Sequence, residues 1–382
     1  MSFGRSRLSI AALFLALGFQ YSTWASRIPA ITERLHLSAA EVGVLLLAAG
    51  VGAVVSAPLV PKLMAAFGSR RLALVAVPVL AAALAGLEFA PGYPWLLVVL
   101  LLDGVAVGCL NVAMNAQGAE LESRSGRTRM ARLHATFSGG IFGAALLASV
   151  ITSVTDAVAV HFAVAGAVLL AAVVVAAPGL LTDSGSGSDS VPEPAGRRWS
   201  RPSAVVVFLG LAMLLATITE GAITDWSALY LASVGAADNL LPLGIAVTSG
   251  TMLLARLFAD GWRDRWGDQA VVVAGSTLAG AGLLTALLTG GAIPALAGFA
   301  CVGLGMAAVS PCLYVAAARY GPAALTAAAA MSTTGLLVGP PAIGFLADAT
   351  SLTWGLGAVV ATAWLTVPLI LALRPEPVRT PA

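Results

Sequence analysis

Long apolar runs separated by short polar breaks fill the chain from Leu8 to about Leu373. A helix needs roughly 20 apolar residues to cross a hydrocarbon core of about 30 Å, and breaks set at charges and Gly/Pro clusters divide the chain into twelve such runs. The first six lie near 8–30, 42–66, 72–90, 95–118, 132–154 and 157–178, and the second six near 203–232, 240–262, 269–290, 292–318, 323–347 and 352–373. Between them, 182–202 contains DSGSGSDSVPEPAGRR, the composition of a flexible linker. The pattern predicts an all-α membrane protein of two six-helix bundles, residues 1–181 and 203–382, joined by that linker. Arg5 and Arg7 before the first run imitate a secretory leader, but the run reaches about Ala30 and others follow at once, so it reads as the first spanning helix.

Composition agrees with this pattern. Of 382 residues 59% are hydrophobic and 10% charged, whereas soluble domains carry about 25% charge. The net charge of +2 is scattered between apolar runs, which excludes a nucleic-acid surface. Cys109, Cys301 and Cys312 lie inside apolar runs without metal-ligand spacing and read as packing residues. Of the 20 basic residues, all but Arg27, Arg34 and Arg256 fall on one side if the N-terminus is inside. Both termini are therefore expected in the cytoplasm, with the protein in a bacterial inner membrane.

The two halves repeat. Trp24 aligns with Trp226, Gly68 with Gly267, Gly108 with Gly305 and Gly139 with Gly335, at offsets from 196 to 202 residues. Duplicated six-helix halves are common among secondary transporters. Asp264-Arg265-Trp266-Gly267 is similar to the D-R-x-G signature of the major facilitator superfamily; the equivalent first-half stretch, Ala65 to Arg71, keeps the glycine and basic pair and lacks the acid. TWASRIPAI from Thr23, NVAMNAQGAELE from Asn111, EGAITDWSALYL from Glu220 and TTGLLVGPPAIGFL from Thr333 resemble the bacterial YbjJ branch, related to the fucose permease group. The resemblance spans nearly the whole chain and implies alternating-access transport of a small solute. It does not imply fucose/proton symport by the same residues, because Asn111 and Ala25 stand where that permease has a Glu and an Asp.

Ionisable and polar side chains inside a bilayer are costly and mark candidate chemistry. Gln20, Trp24 and Arg27 share one helical face and read either as solute ligands or as interfacial anchors. Asp103 reads as a proton carrier or a structural hydrogen-bonding group, with Asn111 and Asn115 placed to read a neutral polar solute. Thr217, Glu220, Thr224 and Ser227 form the densest polar stripe of the second half, with Asp225 and Trp226 toward its outer end, and Ser310 and Tyr314 complete an opposite wall. The expected solute ligands are thus Gln20, Trp24, Arg27, Asn111, Asn115, Glu220, Thr224, Ser310 and Tyr314, and the expected proton-coupling groups are Asp103, Glu220 and Asp225. The half-repeat sets Arg27 against Asp225 as an outer gate, and helical spacing groups Arg256, Asp260, Asp264 and Arg265 as an inner one. Gly139, Gly140 and Gly143, and Gly335, Gly339, Pro340 and Pro341, suit close packing or bending.

The resulting expectation is a monomeric secondary transporter of a small polar or amphipathic solute, proton-coupled, with export of a drug or metabolite by antiport as the alternative. Neither GxxxxGKS/T nor HExxH occurs, so no cofactor or metal is expected. His134 and Ser138, four apart, imitate a base and nucleophile, but that spacing is common in helices, and an intramembrane enzyme is the remote alternative.

Overall fold

The computed structural model describes residues 3–125, 130–182 and 203–373. The linker from 183 to 202 and Arg127 and Arg129 lie outside the described residues. The first half contains α1 (Phe3–Ala25), α2 (Ile28–Leu35), α3 (Ala39–Ser56), α4 (Val60–Glu88), α5 (Tyr93–Ser125), α6 (Met130–Thr152) and α7 (Val158–Ala176). The second contains α8 (Ala204–Ser233), a single 3-10 turn at Asp238–Leu240, α9 (Leu243–Thr289), α10 (Ala292–Met306), α11 (Val309–Arg319), α12 (Pro322–Ala349) and α13 (Leu352–Leu371). The described residues contain helices and no strand.

Local chemistry accounts for the breaks. Pro29 sits in the first turn of α2 and has no N–H to continue the ladder of α1, so the first spanning segment bends at Ser26 and Arg27. Ser38 and Glu41 cap α3 reciprocally: each side chain receives the other residue's backbone N–H. Gly68 (φ 75°) and Gly267 (φ 80°) interrupt α4 and α9 with backbone angles that side-chain-bearing residues rarely adopt.

Eleven described stretches are long and apolar enough to cross a membrane. One of them, Asp238–Thr289, runs for 52 residues and holds the break at Gly267.

Within the first half α1 packs on α6, α3 on α5, and α4 on α5 and α7; within the second, α8 packs on α12 and α13, and α9 on α10 and α13. Glycines set the closest approaches: Gly18 lies against the backbone of Phe137, and Gly140 against that of Leu15. The halves meet through α3 on α12 and α6 on α9. Gly43 touches Pro340 and Pro341, Gly344 touches Ala39 and Trp226, and Ser149 Oγ donates to the carbonyl of Asn239 at 2.5 Å. These contacts lie away from the end that carries Arg70, Arg71, Arg124, Arg263 and Arg319, called the basic end below.

Candidate functional site

α8 positions the central carboxylate. Glu220 Oε1 receives Arg256 Nη2 of α9 at 3.3 Å, and Ser310 Oγ at the start of α11 donates to its Oε2 at 3.2 Å. Arg256 also donates through Nε to the carbonyl of Ala307 and, through Nη1, to Ser138 Oγ of α6, both at 3.3 Å. The guanidinium therefore spans the two halves. The side chains of Arg256 and Glu220 are 36% and 30% exposed, so the pair is half-open where the two halves meet. At such exposure an ion pair contributes about 0.2–1 kcal/mol, which a solute's own hydrogen bonds can match.

Glu220 and Ser310 thus come together, and Arg256 joins them instead of the inner-gate cluster. Tyr314 and Thr224 are half-buried. The charged cluster at the basic end is a different one from the expected set. Asp268 receives Arg263 Nε at 2.8 Å and Arg319 Nη2 at 3.1 Å, while Asp260 makes only a 3.5 Å contact with Arg263, and Asp264 and Arg265 are exposed. The break at Gly267 explains the correction: beyond it the chain turns, and Asp268, not Asp264, is carried back toward α11.

The stripe on α1 does not form one wall of a shared cavity. Gln20 Nε2 donates to Asp103 Oδ1 at 2.7 Å, both buried inside the first half. Trp24 lines an apolar hollow with Ile28, Thr32, Leu45, Leu87 and Leu96, also within that half. Arg27, only 4% exposed, donates through Nε to Nδ1 of the fully buried His161 at 3.1 Å. The face that periodicity picks out turns toward α5 and α7. Asn111 is exposed, and Asn115 Nδ2 donates to its side-chain and backbone oxygens at 2.9 and 2.7 Å.

The outer gate also differs from the expected pair. Asp225, 5% exposed, takes the phenol of Tyr21 at 2.5 Å, and Arg27 takes His161. Tyr21 and His161 are absent from the sequence-based candidates. Tyr21 could have been found as the polar neighbour of Gln20 on a buried helix; His161 follows Asp156 in an otherwise apolar run and carried no further signal.

Residues 8–333 match the family model described as the Major Facilitator Superfamily. The chain belongs to this superfamily. It is 35% identical to the uncharacterized transporter y4wD of Sinorhizobium fredii over 90% of this chain and 91% of that one. It is 32% identical to an uncharacterized MFS-type transporter of Yersinia pestis, covering 94% of each chain. The membrane protein MosC of Rhizobium meliloti is 31% identical, covering 97% of this chain and 92% of that one. The crystal structure of the nucleoside transporter NupG, as its D323A mutant, superposes with a TM-score of 0.78 at 13% identity, covering 96% of this chain and 99% of that one. That likeness shows the fold. The membership shows a multi-pass membrane transporter, and Glu220, Arg256 and Ser310 stand where its two halves face each other.

Proposed function

We propose that the chain is a secondary carrier that moves a small polar or amphipathic solute across the bacterial inner membrane by alternating access, coupled to protons. The observation that carries this reading is the bridge Glu220–Arg256–Ser138, a half-exposed ionic site spanning both halves while Tyr21 and Asp225 join them elsewhere. A solute biases the equilibrium between two arrangements of the halves only if it binds them unequally, as one that touches both halves does. At this site it meets both.

The chain crosses the membrane twelve times, with the 52-residue stretch counting as two passes. At 1.5 Å per residue it would extend about 78 Å as one helix, more than twice the hydrocarbon core of about 30 Å. Residues 1–181 and 203–382 are the rocking bundles, 182–202 links them, and the basic end with both termini is cytoplasmic. The motifs that resemble the YbjJ branch support placement there. Solute ligands are Glu220, Ser310 and Tyr314 with Asn111 and Asn115 opposite; Thr224 lies beside Asp225. Asp103, Glu220 and Asp225 are the carboxylates available for proton coupling. Uptake by symport and export by antiport use the same cycle in opposite senses.

The test is flux in proteoliposomes carrying an internal pH dye, beginning with labelled uridine because the similar fold of NupG carries that solute class, and then sugars, amino acids and cationic drugs. The reading expects one class to move together with protons and Glu220→Gln to lose both movements. Flux that leaves the internal pH unchanged and persists in Glu220→Gln, Asp225→Asn and Asp103→Asn would remove proton coupling.

A further inference from the structure

His134 has no part in the roles assigned above. It lies in the second turn of α6, exposed on its open side, and its ring packs edge-on against the buried Phe14 of α1 with centroids 5.1 Å apart at 78°. One turn further along, Ser138 Oγ receives Arg256 Nη1 at 3.3 Å and lies 3.5 Å from the carbonyl of His134 itself. His134 and Ser138, four apart, share a face of α6, so the guanidinium that reaches Ser138 stands about one helical turn from the imidazole. The other charged residues toward the basic end on elements packed against α6 include Arg5 and Arg7 of α1, Glu120, Glu122 and Arg124 of α5, and Asp260 of α9; Arg132 is two residues away on α6, Glu220 of α8 is held by Arg256, and the α1 residue in contact with the ring is the uncharged Phe14.

We infer that His134 is a proton-binding site that controls the bridge between the halves, a proton on its ring favouring the arrangement in which Arg256 has left Ser138. Imidazolium and guanidinium are like charges in a cleft only partly wetted, where their repulsion is weakly screened. With the ring neutral, Arg256 spans Glu220 and Ser138. With the ring charged, Arg256 keeps Glu220, which attracts it, and gives up the neutral hydroxyl of Ser138. Linkage makes the effect reciprocal: whatever draws Arg256 from Ser138 also favours protonation of His134. The proton comes from and returns to bulk water, and no bond other than N–H forms or breaks. The inference rests on the Arg256–Ser138 contact and on no particular solute, so it stands or falls apart from the transport reading.

The experiment places spin labels at Ala135→Cys on α6 and Leu257→Cys on α9, both exposed positions, in full-length protein with Cys109, Cys301 and Cys312 replaced. Distances are recorded in lipid discs without added solute, from about pH 8 to about pH 4.5, a range that reaches below the pH at which an ordinary histidine changes charge. The longer-distance population should grow about fivefold or more on acidification. That growth should vanish in His134→Gln and in His134→Asn, while Ser138→Ala, which removes the acceptor of the bridge, should show the longer distance throughout. No pH-dependent shift in the parent, or an undiminished shift in either His134 variant, overturns the inference. Should both His134 variants misfold, Ser138→Ala keeping the full pH response overturns it as well.

Discussion

Tyr21 of α1 donates its phenol to Asp225 Oδ1 of α8 at 2.5 Å, joining the two halves of the transporter through a buried carboxylate. The next residue toward the N-terminus, Gln20, holds the buried carboxylate of Asp103 within the first half. One turn of α1 therefore ties a carboxylate in each half.

Tyr21→Phe removes the only donor described on Asp225 and leaves that oxygen buried. A hydrogen bond to a charged group contributes about 1.5–3 kcal/mol, enough to shift a two-state equilibrium more than tenfold toward separation at this level. A cysteine at Asn239, whose carbonyl receives Ser149, should then react faster with a membrane-impermeant thiol reagent. Unchanged reactivity would show that Tyr21 does not hold the halves together.

Glu220→Gln keeps the shape of the side chain and removes its charge, leaving Arg256 without its carboxylate. Because the pair is half-exposed, the loss of stability should stay near 1 kcal/mol or below. Transport should fall tenfold or more, as should that of Arg256→Ala, and the double variant should be no worse than the worse single one. Melting temperature and flux together check this. A large drop in melting temperature with proportionate loss of flux would assign the pair a structural role.

Asp268→Asn and Asp264→Asn should differ. Asp268 takes both Arg263 and Arg319, so its neutralisation should lower stability by about 1–2 kcal/mol, read as a fall in melting temperature. Asp264 is exposed, and its change should stay within about 0.5 kcal/mol. Equal melting temperatures for the two variants would contradict this assignment.

Gly18→Leu or Gly140→Leu should abolish folded protein, since each glycine lies against the backbone of the partner helix where α1 crosses α6, and a side chain there must push two helices apart. Gly139→Ala should be tolerated, because no atom lies within 4 Å of its added methyl group. Yield by size-exclusion chromatography measures both.

The all-helical, membrane-spanning character and the superfamily were legible in the chain because apolar length and glycine punctuation are local properties. Glu220 and Ser310 stood out for the same reason: each is polar where lipid or helix packing has no use for it. Partner choice was not legible. Periodicity puts Gln20, Trp24 and Arg27 on one face, but cannot say that this face turns toward Asp103 and His161 in the same half. The half-repeat sets Arg27 against Asp225, yet the bend at Pro29 and the neighbouring Tyr21 give each another partner. Arg256, Asp260 and Asp264 are four apart on one helix, whereas Glu220, 36 residues away in sequence, decides where the guanidinium goes.

Alternation of access at the central site is the core of this account, and a single cysteine tests it most directly. Ser310→Cys, in protein without other cysteines and sealed in oriented vesicles, is probed with an impermeant reagent added to one side at a time. The account predicts rapid reaction from the basic end only, and a switch toward reaction from the opposite side when Tyr21→Phe is introduced, with neither form reacting rapidly from both sides together. Equal rapid reaction from both sides in one form would indicate a continuous pore and contradict alternating access.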